Sequence, residues 1–92
     1  MVDKDGARGG EASLAAALAL HRSGRVAEAE RLYRQALEGD PDNGEALHLL
    51  GVAALQQGRA AEAVELIGKA ARRLKKNPQL HNNLGEAYRA LG

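Results

Sequence analysis

Ninety-two residues suffice for one small domain, and 45% hydrophobic residues allow a buried core rather than a disordered tail. The apolar residues are mostly Ala, Leu and Val, with no Phe or Trp and only Tyr33 and Tyr88 as rings, which favours closely packed helices over a β-sandwich. A charge of +1, from 13 basic and 12 acidic residues, exerts no long-range pull on nucleic acid or an anionic membrane, and the absence of cysteine excludes disulfides, thiol nucleophiles and cysteine–zinc sites.

The chain begins with a charged, glycine-rich stretch, read as a flexible segment over 1–9. Its Gly6-Ala7-Arg8-Gly9-Gly10 run is not a phosphate loop, because no strand precedes it. No apolar run is long enough to span a bilayer. Ala12 to Leu20 has the look of a signal-peptide core, but Glu11 stands in front of it and it belongs to the repeat described below. Cytoplasmic residence is the expectation, and the alanine- and arginine-rich usage points to a bacterial source.

A first helix is predicted over 11–23, closed by Gly24, which can take the left-handed conformation that ends a helix. A second follows over 26–38, with Glu28 in its first turn to complement the helix dipole. Asp40-Pro41-Asp42-Asn43-Gly44 is a turn cluster. The third helix, 44–57, has Asn43 as N-cap and an apolar face of Leu47, Leu50, Ala54 and Leu55. Gly58 closes it, and the fourth helix runs over 60–74 with Glu62 in its first turn. Asn77 caps a fifth over 78–91, where Pro78 takes the first position at no hydrogen-bond cost. Leu80, Leu84, Ala87, Tyr88 and Leu91 make its apolar face.

Self-comparison gives a period of 34 residues. Gly24-Arg25-Val26-Ala27-Glu28-Ala29 recurs as Gly58-Arg59-Ala60-Ala61-Glu62-Ala63, Leu50-Gly51 as Leu84-Gly85, Asn43 as Asn77, and Ala36 as Ala70. Units are therefore drawn at 10–43, 44–77 and 78–92, the last holding one helix. The pattern resembles the tetratricopeptide repeat. Leu84, Gly85 and Tyr88 match its signature in the third unit, with His81 in the bulky slot. The second unit keeps Leu47, Leu50, Gly51, Ala63 and Ala70, and the first keeps Ala29, Tyr33, Ala36 and Pro41. The departures are Ala16-Ala17 for Leu-Gly, Ala54 for Tyr, Ile67 for the aromatic and Lys75 for Pro. The resemblance implies an all-α, right-handed helical-hairpin solenoid of about two and a half repeats. Small residues at Ala17, Ala29, Gly51 and Ala63 would let paired helices approach closely.

The resemblance also implies a function. First helices of successive repeats line a concave groove that docks a protein or peptide. Here the lining would be Leu14, Leu18, His21 and Arg22, then His48, Leu49, Val52, Leu55 and Gln56, then Gln79, Asn82, Asn83, Glu86 and Arg89. The N-terminal half of this lining is apolar and the C-terminal half polar, and an apolar groove suits an amphipathic helix or a leucine-bearing peptide. The cationic clamp with which some members hold chaperone tails is missing: its slots hold Leu14, Leu18, Leu49, Gln79 and Asn83. Asn83 also matches one rung of the asparagine ladder of O-linked N-acetylglucosaminyl transferases, so a substrate-presenting arm of a larger enzyme is an alternative. A further alternative is self-assembly. The chain stops at Gly92, as expected of a fragment of a longer solenoid, and Leu84, Tyr88 and Leu91 would meet a following helix. Either this last helix serves as a lid and that face stays uncovered, or another copy buries it in a homo-oligomer.

No catalytic residue, metal, cofactor or small-molecule substrate is assigned. His21, His48 and His81 occupy three different slots of the repeat, none at the chelating four-residue spacing of one helix. The acidic residues read as solvated faces and capping charges. Arg72, Arg73, Lys75 and Lys76 form a basic cluster that complements a helix end, and without aromatic platforms it does not read as a nucleic-acid site.

Overall fold

Local rules place the helix ends. Asn43 Oδ1 accepts the Ala46 backbone N–H at 3.0 Å, and Asn77 Oδ1 accepts that of Leu80 at 3.1 Å, so each asparagine satisfies an orphan donor of the helix that follows. Gly24 and Gly58 have φ of 91° and 83°, the left-handed turn in which glycine avoids a side-chain clash. The computed structural model describes residues 13–92 and contains five α-helices and no strand among them. They are α1 (13–22), α2 (Val26–Gly39), α3 (Gly44–Gln56), α4 (Ala60–Arg73) and α5 (Pro78–Leu91). The 1–9 segment and the expected helix start at 11 lie outside the described residues.

The helices pack as successive hairpins. α3 lies against α2, α4 and α5, and α4 lies against α5. Two cores result. Ala17, Ala29, Tyr33, Leu50 and Ala53 gather between α1, α2 and α3; Leu47, Ala54, Ala63, Ile67, Ala70, Leu80 and Ala87 gather between α3, α4 and α5. Each core therefore joins one unit to the first helix of the next. Tyr33, Leu50, Ile67 and Leu80 are the largest fully buried side chains. Burying each aliphatic one is worth about 1.5–3 kcal/mol. Gly51 marks a close approach of α3 and α4: a Cβ there would lie 2.5 Å from Ile67 Cγ1 and 3.3 Å from the Ile67 backbone nitrogen.

Central α3 differs from the single apolar face predicted for it. Ala46, Leu47, His48, Leu50, Gly51, Ala53 and Ala54 are all buried, because neighbours cover it on several sides. The Cα traces of α3 and α5 approach within 8 Å, whereas α2 and α4 meet through side chains, by ion pairs of Arg34 with Glu62 and of Arg59, at the start of α4, with Glu30. The molecule extends over 47 × 27 × 18 Å. Among the described residues no helix is long and apolar enough to cross a membrane.

Candidate partner-binding face

Two polar pairs link α1, α3 and α5. Between α1 and α3, His21 Nδ1 accepts the Tyr33 O–H at 2.8 Å, and its Nε2–H donates to Gln56 Oε1 at 2.6 Å. This assignment of the neutral tautomer follows from Gln56 presenting an acceptor. Burial pushes the Tyr33 phenol up to about 12, so it stays a proton donor at neutral pH. Between α3 and α5, Asn83 Nδ2–H donates to His48 Nε2 at 2.9 Å. Burial lowers the His48 pKa, against a smaller opposing pull from Glu45, and favours the neutral ring that can accept.

The second pair corrects part of the expected lining. His48 and Asn83, both assigned to the groove, are 6% and 9% exposed and turn into each other. Their polar atoms close the seam between units instead of facing outward, and the one rung of the asparagine ladder is thereby engaged. Sequence reasoning missed the pairing, although a signal existed. His21 and Gln56 lie 35 residues apart, as do His48 and Asn83, one residue more than the repeat period.

The remaining positions fall into two groups. Leu14, Leu18, Leu49, Val52 and Leu55 are half-buried, as is His21; Leu14, Leu49 and Leu55 also rest against the cores. Arg22, Gln56, Gln79, Asn82, Glu86 and Arg89 are exposed. The assigned lining is thus mostly aliphatic along α1 and α3 and polar along α5. Of the residues assigned to self-association, Leu84 is half-buried against the second core, while Tyr88 and Leu91 are 56% and 52% exposed. Gly85, between them, has open space where a Cβ would meet nothing nearer than an Arg89 nitrogen at 3.6 Å.

Where α2 meets the start of α4, Glu30 is the centre of a network. Its carboxylate binds Arg59, Arg34 and the Gln57 amide, and Arg34 and Arg59 also reach Glu62. The Arg59 guanidinium, helped by Arg34 and Gln57, overrides burial and holds the Glu30 carboxyl down at about 2. Glu30 is therefore a tie between units rather than the solvated charge the sequence suggests.

A shallow cleft of about 270 Å³ lies by the turn after α2, lined by Pro41, Asp42, Leu47, Lys69, Arg72 and Arg73. Arg73, from the predicted basic cluster, is paired there with Asp42 at 2.8 Å. His81 Nε2 meets the Lys75 carbonyl at 3.2 Å, and no group of three or more metal-ligating side chains forms among the described residues.

Hairpin stacking at a fixed interval is matched by comparison with known families: residues 20–84 fit the profile described as a tetratricopeptide repeat. The chain belongs to the tetratricopeptide repeat family. Repeats of this family are generally protein-interaction modules, which bind proteins or peptides. No curated protein matches the chain. In tetratricopeptide terms, α1, α3 and α5 are first helices of successive repeats, and α2 and α4 are second helices.

Proposed function

We propose that this tetratricopeptide chain is a non-catalytic docking module that holds an apolar segment of another protein in the groove of its first helices. Its units are taken as 10–43, 44–77 and 78–92. The observation that carries the reading is the half-buried aliphatic series Leu14, Leu18, Leu49, Val52 and Leu55 on adjoining first helices. Such side chains keep part of their apolar surface in water, and a partner that covers it gains about 25 cal/mol per Å². Arg22, Gln56, Asn82, Glu86 and Arg89 form a polar border that adds orientation. The test is the double substitution Leu49→Asp, Val52→Asp. Helix content should be retained, because neither residue is fully buried, while capture of an apolar peptide should fall. Unchanged capture would refute the groove.

A second reading is favoured by one observation: Tyr88 and Leu91 are the exposed large hydrophobic side chains among the described residues, and both lie on α5. A second copy would cover them in a homo-oligomer. Sedimentation should then show association that Tyr88→Ser with Leu91→Ser abolishes; a monomer at millimolar concentration would remove this reading.

A further inference from the structure

Resting on the groove reading and going beyond it, we infer that the face of α1 and α3 takes its partner as an amphipathic helix, with aliphatic side chains at i, i+3, i+4 and i+7, and not as an extended peptide. A strand laid in a groove gives up water from its own N–H and C=O groups, and each one left without a partner costs about 1–3 kcal/mol. A receptor for strands therefore presents a row of free donors and acceptors along its length.

Among the described residues of α1 and α3, the side chains between the helix ends that suit that task are already engaged. His21 has both ring nitrogens committed, to the Tyr33 hydroxyl and the Gln56 carbonyl oxygen. His48 Nε2 and the Asn83 amide close on each other below the surface. The receptor helices bond their own backbone groups internally. Glu45, Arg22 and the Gln56 N–H remain exposed, but each stands at a helix end: Glu45 at the start of α3, Gln56 at its finish and Arg22 at the finish of α1. Between those ends the face of α1 and α3 offers aliphatic carbon, and the exposed Gln79, Asn82, Glu86 and Arg89 stand to one side of it, on α5, where a strand would meet them along one edge only. A ligand for such a face must supply apolar side chains and a backbone that is satisfied before it arrives. A helix meets both conditions. Charges of both signs at the ends, Glu45 against Arg22, fit a helix whose apolar stripe is flanked by opposite charges.

Two isomeric peptides of about 18 residues, long enough for measurable helicity, separate the possibilities. Both contain the same Leu, Ala, Glu and Lys residues. One spaces its leucines at helical period, the other alternately as in a strand. Each is titrated by fluorescence anisotropy against the whole chain and against the Leu49→Asp, Val52→Asp variant, with circular dichroism of the mixtures. The helical-period isomer should bind at least about tenfold more tightly, a difference of about 1.4 kcal/mol. It should gain helix on binding and lose its affinity for the variant. If the alternating isomer binds as well or better and the variant loses it, the groove stands and the helical partner is refuted. If neither isomer binds, or the variant binds both as the parent does, the groove falls and the helical partner with it.

Discussion

Gly51 and Gly85 occupy the same slot of successive repeats, yet their surroundings differ, and alanine at each position separates packing from helix propensity. At Gly51 the added methyl would lie 2.5 Å from Ile67 Cγ1, with the Ile67 backbone nitrogen 3.3 Å away, so rotation of the isoleucine alone does not clear the space. Overpacking of this kind costs about 1–3 kcal/mol. Alanine returns about 1 kcal/mol of helix propensity in either helix. At Gly85 the methyl meets only the movable end of Arg89, at 3.6 Å. Gly85→Ala should therefore stabilise by up to about 1 kcal/mol, and Gly51→Ala should destabilise by as much as about 2 kcal/mol. The propensity gain cancels between them, so their difference, about 1–3 kcal/mol, reports the α3–α4 contact itself. At about 4–8 °C per kcal/mol for a domain of this size, the two melting temperatures should stand at least about 4 °C apart. Thermal and urea unfolding followed by circular dichroism measures this. Equal shifts for the two variants would refute the claim that α4 crosses α3 at Gly51 with no room for a side chain.

The ion-pair network and the buried histidine give two further expectations. Glu30→Gln should lower stability at neutral pH by about 1 kcal/mol, a value reduced by solvent screening of the exposed arginines. Because the folded-state pKa of Glu30 is depressed, its contribution is present above the ordinary value of 4.5 and lost as pH falls through about 2. Urea midpoints for parent and variant should converge over that window, and a constant gap would argue against the network. His48 is a base with a lowered pKa, so the unfolded chain takes up its proton first. Its contribution is complete above the ordinary 6.5 and declines as pH falls from there through the lower folded value. The variant carrying His48→Leu and Asn83→Leu, which copies Leu14 and Leu49 one repeat earlier, should show a flatter stability profile in that range. An unchanged profile would place the acid sensitivity elsewhere.

Much of the fold was legible because local chemistry writes it at a fixed interval. The asparagine caps, the closing glycines and the small residues at Ala17, Ala29, Gly51 and Ala63 each answer a requirement of one turn or one crossing, and those requirements recur with the repeat. What was not legible depends on how far neighbouring units are offset. A period of 34 says nothing of side chains that meet 35 apart, so His48 and Asn83 read as surface residues while the stack buries them. Glu30 likewise reads as one more charge on a helix. Its 12% exposed side chain becomes distinctive only when Arg59 arrives from the next repeat. The all-round burial of α3 has the same origin, since Ala46 and Ala53 are covered by neighbours and not by the helix's own hairpin partner alone.

These contacts between units also explain how a repetitive sequence can define one order of stacking. The apolar pattern alone is nearly interchangeable from unit to unit. The polar pairs are not: the first seam carries His21–Gln56 toward the helix C-termini, and the second carries His48–Asn83 nearer the N-termini. One repeat along from His21 and Gln56 stand Leu55 and Ala90, and one repeat back from His48 and Asn83 stand Leu14 and Leu49. A stack with its units exchanged would set the buried His48 or Asn83 opposite carbon, at about 1–3 kcal/mol for each orphan. Correctly joined, the pair adds little net stability, because both partners were hydrated before folding. The same asymmetry governs its mutants. His48→Leu or Asn83→Leu alone should cost about 1–3 kcal/mol, and the two together far less than their sum. Additive losses in that cycle would mean that the two side chains are independent, and the seam would then contribute nothing to the order of the repeats.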